Sequence, residues 1–118
     1  MTGIERIATE RQRQITVEGW TAEHDDDHVG PALALAAISY AAMATDCHAD
    51  VRLVEHDGDD ISIRDPWPWD RRWDKRKKHA QLKARSTVER RRGRIRCLEI
   101  AGALLAAEID RLQRQETP

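Results

Sequence analysis

Three of the chain's four tryptophans fall within eight residues, Pro66-Trp67-Pro68-Trp69-Asp70-Arg71-Arg72-Trp73, in a sequence with no phenylalanine and one tyrosine, Tyr40. Nearly all the aromatic surface is therefore in one place. Two prolines forbid a regular helix or a central strand there. The rings must sit on a loop that is pinned either against the core or around a ligand, and that choice bears directly on function.

The 118 residues suit one domain, 1–118, with one modest core. A charged fraction of 35% and a net charge of −1 point to a soluble protein, and the longest apolar run is far shorter than the roughly 20 residues of a membrane span. Met1 to Arg13 alternates charges with isolated isoleucines and lacks the apolar centre of a secretory signal, so a cytoplasmic protein is expected. Cys47 and Cys97 have no CxxC partner and read as small buried residues rather than a disulfide or metal framework.

The small net charge conceals a segregation. Between Glu18 and Asp65 there are 12 acidic and 2 basic side chains, whereas Arg71 to Arg96 holds 13 basic and 2 acidic. Such a pattern can steer a polyanion to the basic stretch. It can equally be satisfied within the chain or across a dimer, and self-complementation is the favoured reading because the acidic run weakens the net field.

Apolar spacing at Ile4, Ile7, Ala8, Arg11 and Ile15 predicts a helix over Ile4 to Val17, with Glu5, Arg6, Glu10 and Arg13 on the exposed face and Gly19 ending it. Glu18 to Gly30 reads as a polar, turn-rich connection. Pro31 suits the first turn of a second helix reaching about His48, whose buried stripe is Leu33, Ala36, Ala37, Tyr40, Met43, Ala44 and Cys47. Val51, Leu53 and Glu55, then Ile61 and Ile63, alternate about a turn at residues 56–60 and predict a short β-hairpin. A basic helical stretch follows from about Asp74 to Val88, kinked near Gly93. The last helix presents Ile95, Leu98, Gly102, Leu105, Ile109 and Leu112, widened by Ile100 and Leu104, as one broad apolar face. The expected class is mainly α: a small domain of three to four helices with a short β-hairpin.

Glu10-Arg11-Gln12-Arg13-Gln14, then Glu18-Gly19-Trp20-Thr21 with His24-Asp25-Asp26, then Trp67-Pro68-Trp69, and finally Ala101-Gly102-Ala103-Leu104-Leu105-Ala106-Ala107-Glu108-Ile109-Asp110-Arg111-Leu112 resemble a family of small phage and prophage proteins. The resemblance runs in order over most of the chain and implies an accessory protein in a bacterial host, without naming an activity. Ala32 and Ile100 stand where that family carries a glutamate and a lysine, and the basic segment around 74–94 includes an apparent insertion, His79 to Arg94. A fainter resemblance, carried by Arg13, Gly19-Trp20, Asp25-Asp26 and His28, is to the ryanodine-receptor-type repeat domain. It implies a small helical module that holds a nucleotide-like ligand.

Glu23-His24-Asp25-Asp26-Asp27-His28 offers possible hard-metal ligands, of which His24, Asp25 and Asp26 are the best candidates for a divalent cation. The segment lacks the alternation and glycine of a calcium loop, and its aspartates can instead solvate a turn and complement a helix N-terminus. No other cofactor is implied. Trp20 reads first as a core anchor. Trp67, Trp69 and Trp73 beside Arg71, Arg72, Lys75, Arg76, Lys77 and Lys78 combine flat stacking surfaces with cations for phosphate. For catalysis, Glu108 and Asp110 lie two apart on a helix and point about 200° from one another, so the paired carboxylates of a metal-dependent nucleotide phosphohydrolase are not assembled there.

The leading expectation is a binding protein that captures an anionic, nucleotide-like ligand or a host protein such as a defence factor, with Arg13, Trp20, Trp67, Trp69, Arg71, Arg72, Trp73 and Lys75 as the ligand set. The alternatives are a nucleic-acid-binding module using residues 71–96 and a divalent-metal nucleotide phosphohydrolase. No membrane partner is expected. The alanine-rich second helix and the broad face of the last helix favour a homo-oligomer, with a dimer the commonest closed form.

Overall fold

The computed structural model describes residues 1–28, 30–45, 53–57, 60–64, 67–80 and 86–116, with only the backbone at 53–57 and 60–64. The elements are α1 (Gly3–Thr16), α2 (Ala22–Asp26), α3 (Ala32–Met43), β1 (Leu53–Asp57), β2 (Asp60–Arg64), a single 3-10 turn (Arg71–Trp73), α4 (Arg76–Ala80) and α5 (Thr87–Glu116). The mainly helical class holds. β1 and β2 pair antiparallel, with Leu53 opposite Arg64 and Asp57 opposite Asp60. Val51, Cys47, His48 and the segment 81–85 lie outside the described residues.

Local chemistry sets the helix ends. The Thr2 hydroxyl accepts from the Glu5 amide to cap α1, and Thr21 does the same for the His24 amide at α2. Gly19, at φ +74°, turns the chain between them, where an L side chain would be strained. Ser86 accepts from the amides of Val88 and Glu89 to open α5. The stretch Glu18 to Gly30, expected to be irregular, therefore contains a short capped helix.

α3 and α5 form the core. Leu33, Ala36, Ala37, Tyr40, Met43 and Ala44 are buried together with Cys97, Ile100, Ala101, Leu104 and Ala107, and Ala80 joins them from α4. The stripe expected on the second helix is thus the one buried, as far as it is described, and burial pushes the Cys97 thiol up to about 11. Small side chains let the helix backbones approach closely. Two arginines of α5 hold the ends of α3: Arg94 Nε donates to the Ala44 carbonyl and Arg111 Nη2 to that of Gly30, so the two helices run antiparallel. The cation at Ala44 also complements the negative end of the α3 dipole.

Three expectations require correction. The helical stretch is not broken at Gly93; α5 runs continuously through it, and the missing side chain serves packing, since a Cβ there would overlap the Ala80 carbonyl of α4. On α1 the buried residues are Glu10 and Gln14, while Ile4 is 82% exposed, the reverse of the hydrophobic reading. On α5, Ile100 and Leu104 go into the core, whereas Leu98, Leu105, Ile109 and Leu112 remain about half exposed. The apolar surface of that helix is therefore two faces, of which the core takes one.

Candidate functional site

The polar side of α1 is buried because it finds charge partners. Glu10 accepts a fork from Arg13 Nε (2.7 Å) and Nη2 (3.0 Å), a bond from Gln14 Nε2 (3.2 Å), and a bond from Arg96 Nη1 of α5 (2.7 Å). Burial opposes the charge on Glu10, but the two guanidiniums outweigh it and hold the carboxyl below its ordinary range. Arg13 also pairs with Glu18 at 2.8 Å, and its own pKa is raised chiefly by Glu10. Arg11 reaches across to Asp25 at 3.0 Å, fixing α2 against α1.

From this base the aromatic rings form one continuous ladder. Trp20 stacks on His24 (5.9 Å, 6°), His24 meets His28 edge-on (4.9 Å), His28 leans on Trp69 (5.2 Å), and Trp69 stands perpendicular to Trp67 (5.5 Å). Trp67 then meets Tyr40 of α3 (5.9 Å), which contacts His79 of α4 (6.2 Å). Offset and edge-on arrangements of this kind add about 0.5–1.5 kcal/mol per pair beyond burial. Burial lowers the pKa of His28, reinforced by His24, and lowers that of His79, reinforced by Arg96. Tyr40 is pushed up to about 12, again mainly by burial. Burial thus favours the neutral forms of His28, His79 and Tyr40.

The segment after the ladder is locked by Asp70 and Asp74. Asp70 accepts from the Arg72 amide (2.9 Å) and caps the 3-10 turn. Asp74 takes two bonds from the Arg76 guanidinium, at 2.9 and 2.6 Å, while that guanidinium also lies 5.3 Å over the Trp67 ring. Arg76 is buried between them, a role that a basic run does not announce. The lock projects the intervening residues outward. Trp73 is 60% exposed, with Arg72 at 5.2 Å over its ring. Arg71, Arg72 and Lys75 are exposed beside it, and α4 adds exposed Lys77 and Lys78.

The sequence-derived ligand set consequently divides. Trp20, Trp67 and Trp69 pack against the core and Arg13 is engaged by Glu10 and Glu18, so these four build the scaffold. Arg71, Arg72, Trp73 and Lys75 are exposed, with the Arg72 guanidinium over the Trp73 ring. Sequence reasoning missed the Glu10–Arg96 and Asp74–Arg76 pairs; the Asp-x-Arg spacing was the one local signal available, for the second.

The candidate cation ligands do not converge. Asp25 is buried against Arg11, with His24 Nδ1 at 3.3 Å from its Oδ1, and Asp26 is bound by Arg114 at 2.8 Å. Among the described residues no group of three or more histidine, cysteine or acidic side chains is placed to hold a metal ion. Glu108 is occupied by Arg111 at 2.6 Å, and Asp110 lies exposed on another side of α5. Among the described residues no helix is long and apolar enough to cross a membrane. Comparison with known proteins finds no matching family model, curated protein or solved structure.

Proposed function

We propose that this protein binds single-stranded nucleic acid through the face made by Arg71, Arg72, Trp73, Lys75, Lys77 and Lys78. The observation that carries the reading is Trp73. It is the one tryptophan left 60% exposed, on a turn whose flanking residues are locked, with a guanidinium over its ring and further cations around it. A base stacked on this solvent-facing indole, with its phosphates beside the lysines, would gain from both contacts.

The same exposure favours a polymer over a small ligand. Small-molecule sites bury some 70–90% of their ligand. Side chains of Arg71 and Arg72 are 65% and 74% exposed, so this face cannot enclose a mononucleotide. A strand gains instead by repeating modest stacking and phosphate contacts along its length. In a phage- or prophage-type accessory protein, the strand would belong to the phage or its host.

Fluorescence anisotropy with labelled 12-nucleotide single strands tests the reading. Wild type should bind, Trp73→Ala should weaken binding about 5- to 100-fold, consistent with about 1–3 kcal/mol per stacked base, and free mononucleotides should not compete at millimolar concentration. Equal binding by Trp73→Ala, or competition by a mononucleotide, would overturn it.

A further inference from the structure

The exposed apolar residues of α5 are not scattered. Ile95, Leu98, Gly102, Leu105, Ile109 and Leu112 follow one another at steps of three, four, three, four and three, and Val88, half exposed, extends the same rows by one heptad. That is the 3.5-residue period of a helix-on-helix seam, whose two rows face a partner along a shared axis. Among the described helices, α1 covers the stripe at one position, where Ile7 packs on Gly102, and Leu98, Leu105, Ile109 and Leu112 are left about half exposed. One turn earlier on α1, Ile4 adds its 82% exposed surface.

We infer that this face pairs with the same face of a second copy, the two α5 helices running antiparallel about an axis near Ala103 and Leu104. Self-pairing of the two rows in that orientation brings Ile95 opposite Leu112, Leu98 opposite Ile109, and the small Gly102 opposite Leu105. The next position outward places Arg91 of one copy opposite Glu116 of the other. Both are exposed. A parallel pairing would instead stack Arg91 on Arg91 and set the run Arg90, Arg91, Arg92, Arg94 and Arg96 beside its own duplicate. The antiparallel one sets that run beside a half of α5 in which Glu108, Asp110 and Glu116 offset Arg111 and Arg114. The Arg91–Glu116 register therefore favours a second copy in the antiparallel direction.

The lysine and tryptophan face of residues 71–78 is not used, so each copy of the dimer keeps its own.

Sedimentation equilibrium of the full chain between about 1 and 100 μM tests the inference, with circular dichroism to verify folding. The wild type should sediment at twice 13.5 kDa, and Leu105→Glu with Ile109→Glu should sediment at 13.5 kDa with unchanged helicity, since both positions are exposed. Arg91→Glu should raise the dissociation constant severalfold, and Arg91→Glu with Glu116→Arg should restore it. A monomeric wild type at 100 μM, a dimer that survives the Leu105 and Ile109 changes, or a charge swap no better than Arg91→Glu alone would each overturn it.

Discussion

Arg96 on α5 donates to Glu10 on α1 over 2.7 Å, joining residues 86 apart in the chain through a carboxylate that is 2% exposed. The same carboxylate holds Arg13 and Gln14, so one side chain fixes the first helix on the last. Removing it strands the Arg96 guanidinium and a buried amide and leaves Arg13 with Glu18 alone. Glu10→Ala should cost about 3–5 kcal/mol, the range for breaking a buried pair, whereas Arg96→Met, which leaves Arg13 on Glu10, should cost about 1 kcal/mol. Urea unfolding of the two variants checks the ordering.

The two helical glycines of α5 should respond differently to alanine. Alanine in a helix interior gains about 1 kcal/mol over glycine. At Gly102 the new methyl meets the Ile7 side chain at Cδ1, Cγ1 and Cγ2, so Ile7 must shift and Gly102→Ala should lose most of that gain without moving backbone. At Gly93 it meets backbone atoms of Ala80, and α4 must shift away. Overpacking of this kind costs about 1–3 kcal/mol, so Gly93→Ala should lower Tm clearly, and faster amide exchange in α4 should accompany it.

Stability should fall in two stages with acid. His28 and His79 lie below their ordinary value of 6.5 in the folded protein, so the unfolded chain binds more protons. Their contribution is complete above about pH 6.5 and is lost as pH falls through the folded values. Glu10 and Asp74 lie below 4.5 and 3.8, and their contribution is complete above those values and lost further down. Tm should therefore decline first below about pH 6.5 and again below about pH 4.5. Replacing both histidines by glutamine should remove the first decline and leave the second.

Much of this architecture is legible in the sequence, and what is not has a physical cause. Leu33, Ala36, Ala37, Tyr40, Met43 and Ala44 repeat at helical spacing and are buried, because the whole stripe faces one neighbour. On α5 the spacing finds the helix but merges two faces, since periodicity ranks leucine above alanine while close packing on an alanine-rich neighbour prefers Cys97, Ala101 and Ala107. Buried Glu10, Gln14, Asp25 and Arg76 are invisible to any hydrophobic pattern. Their burial depends on partners such as Arg96 and Arg11, brought up only by the fold. At the candidate site, the tryptophan-arginine clustering marks a segment. It could not tell that Trp67 and Trp69 turn inward while Trp73 turns outward, because that division is made by Asp70 and the Asp74–Arg76 pair.

Trp73 and Leu104 mark the contrast between surface and core. Trp73→Ala should change stability by less than about 0.5 kcal/mol, as for exposed substitutions generally. Leu104→Ala empties a site that is 1% exposed and should cost about 2–5 kcal/mol. Thermal unfolding of both variants separates the two roles, so a loss of binding in Trp73→Ala can be assigned to contact and not to folding.

The salt dependence of single-strand affinity tests the central claim most directly. Three to five phosphates neutralised by Arg71, Arg72, Lys75, Lys77 and Lys78 predict a log–log slope of about −2 to −4, at roughly −0.7 per phosphate. Changing Lys77 and Lys78 to alanine should flatten it by about 1 to 1.5. Affinity that ignores salt, or a slope unaffected by losing those two lysines, would contradict the assignment of this face.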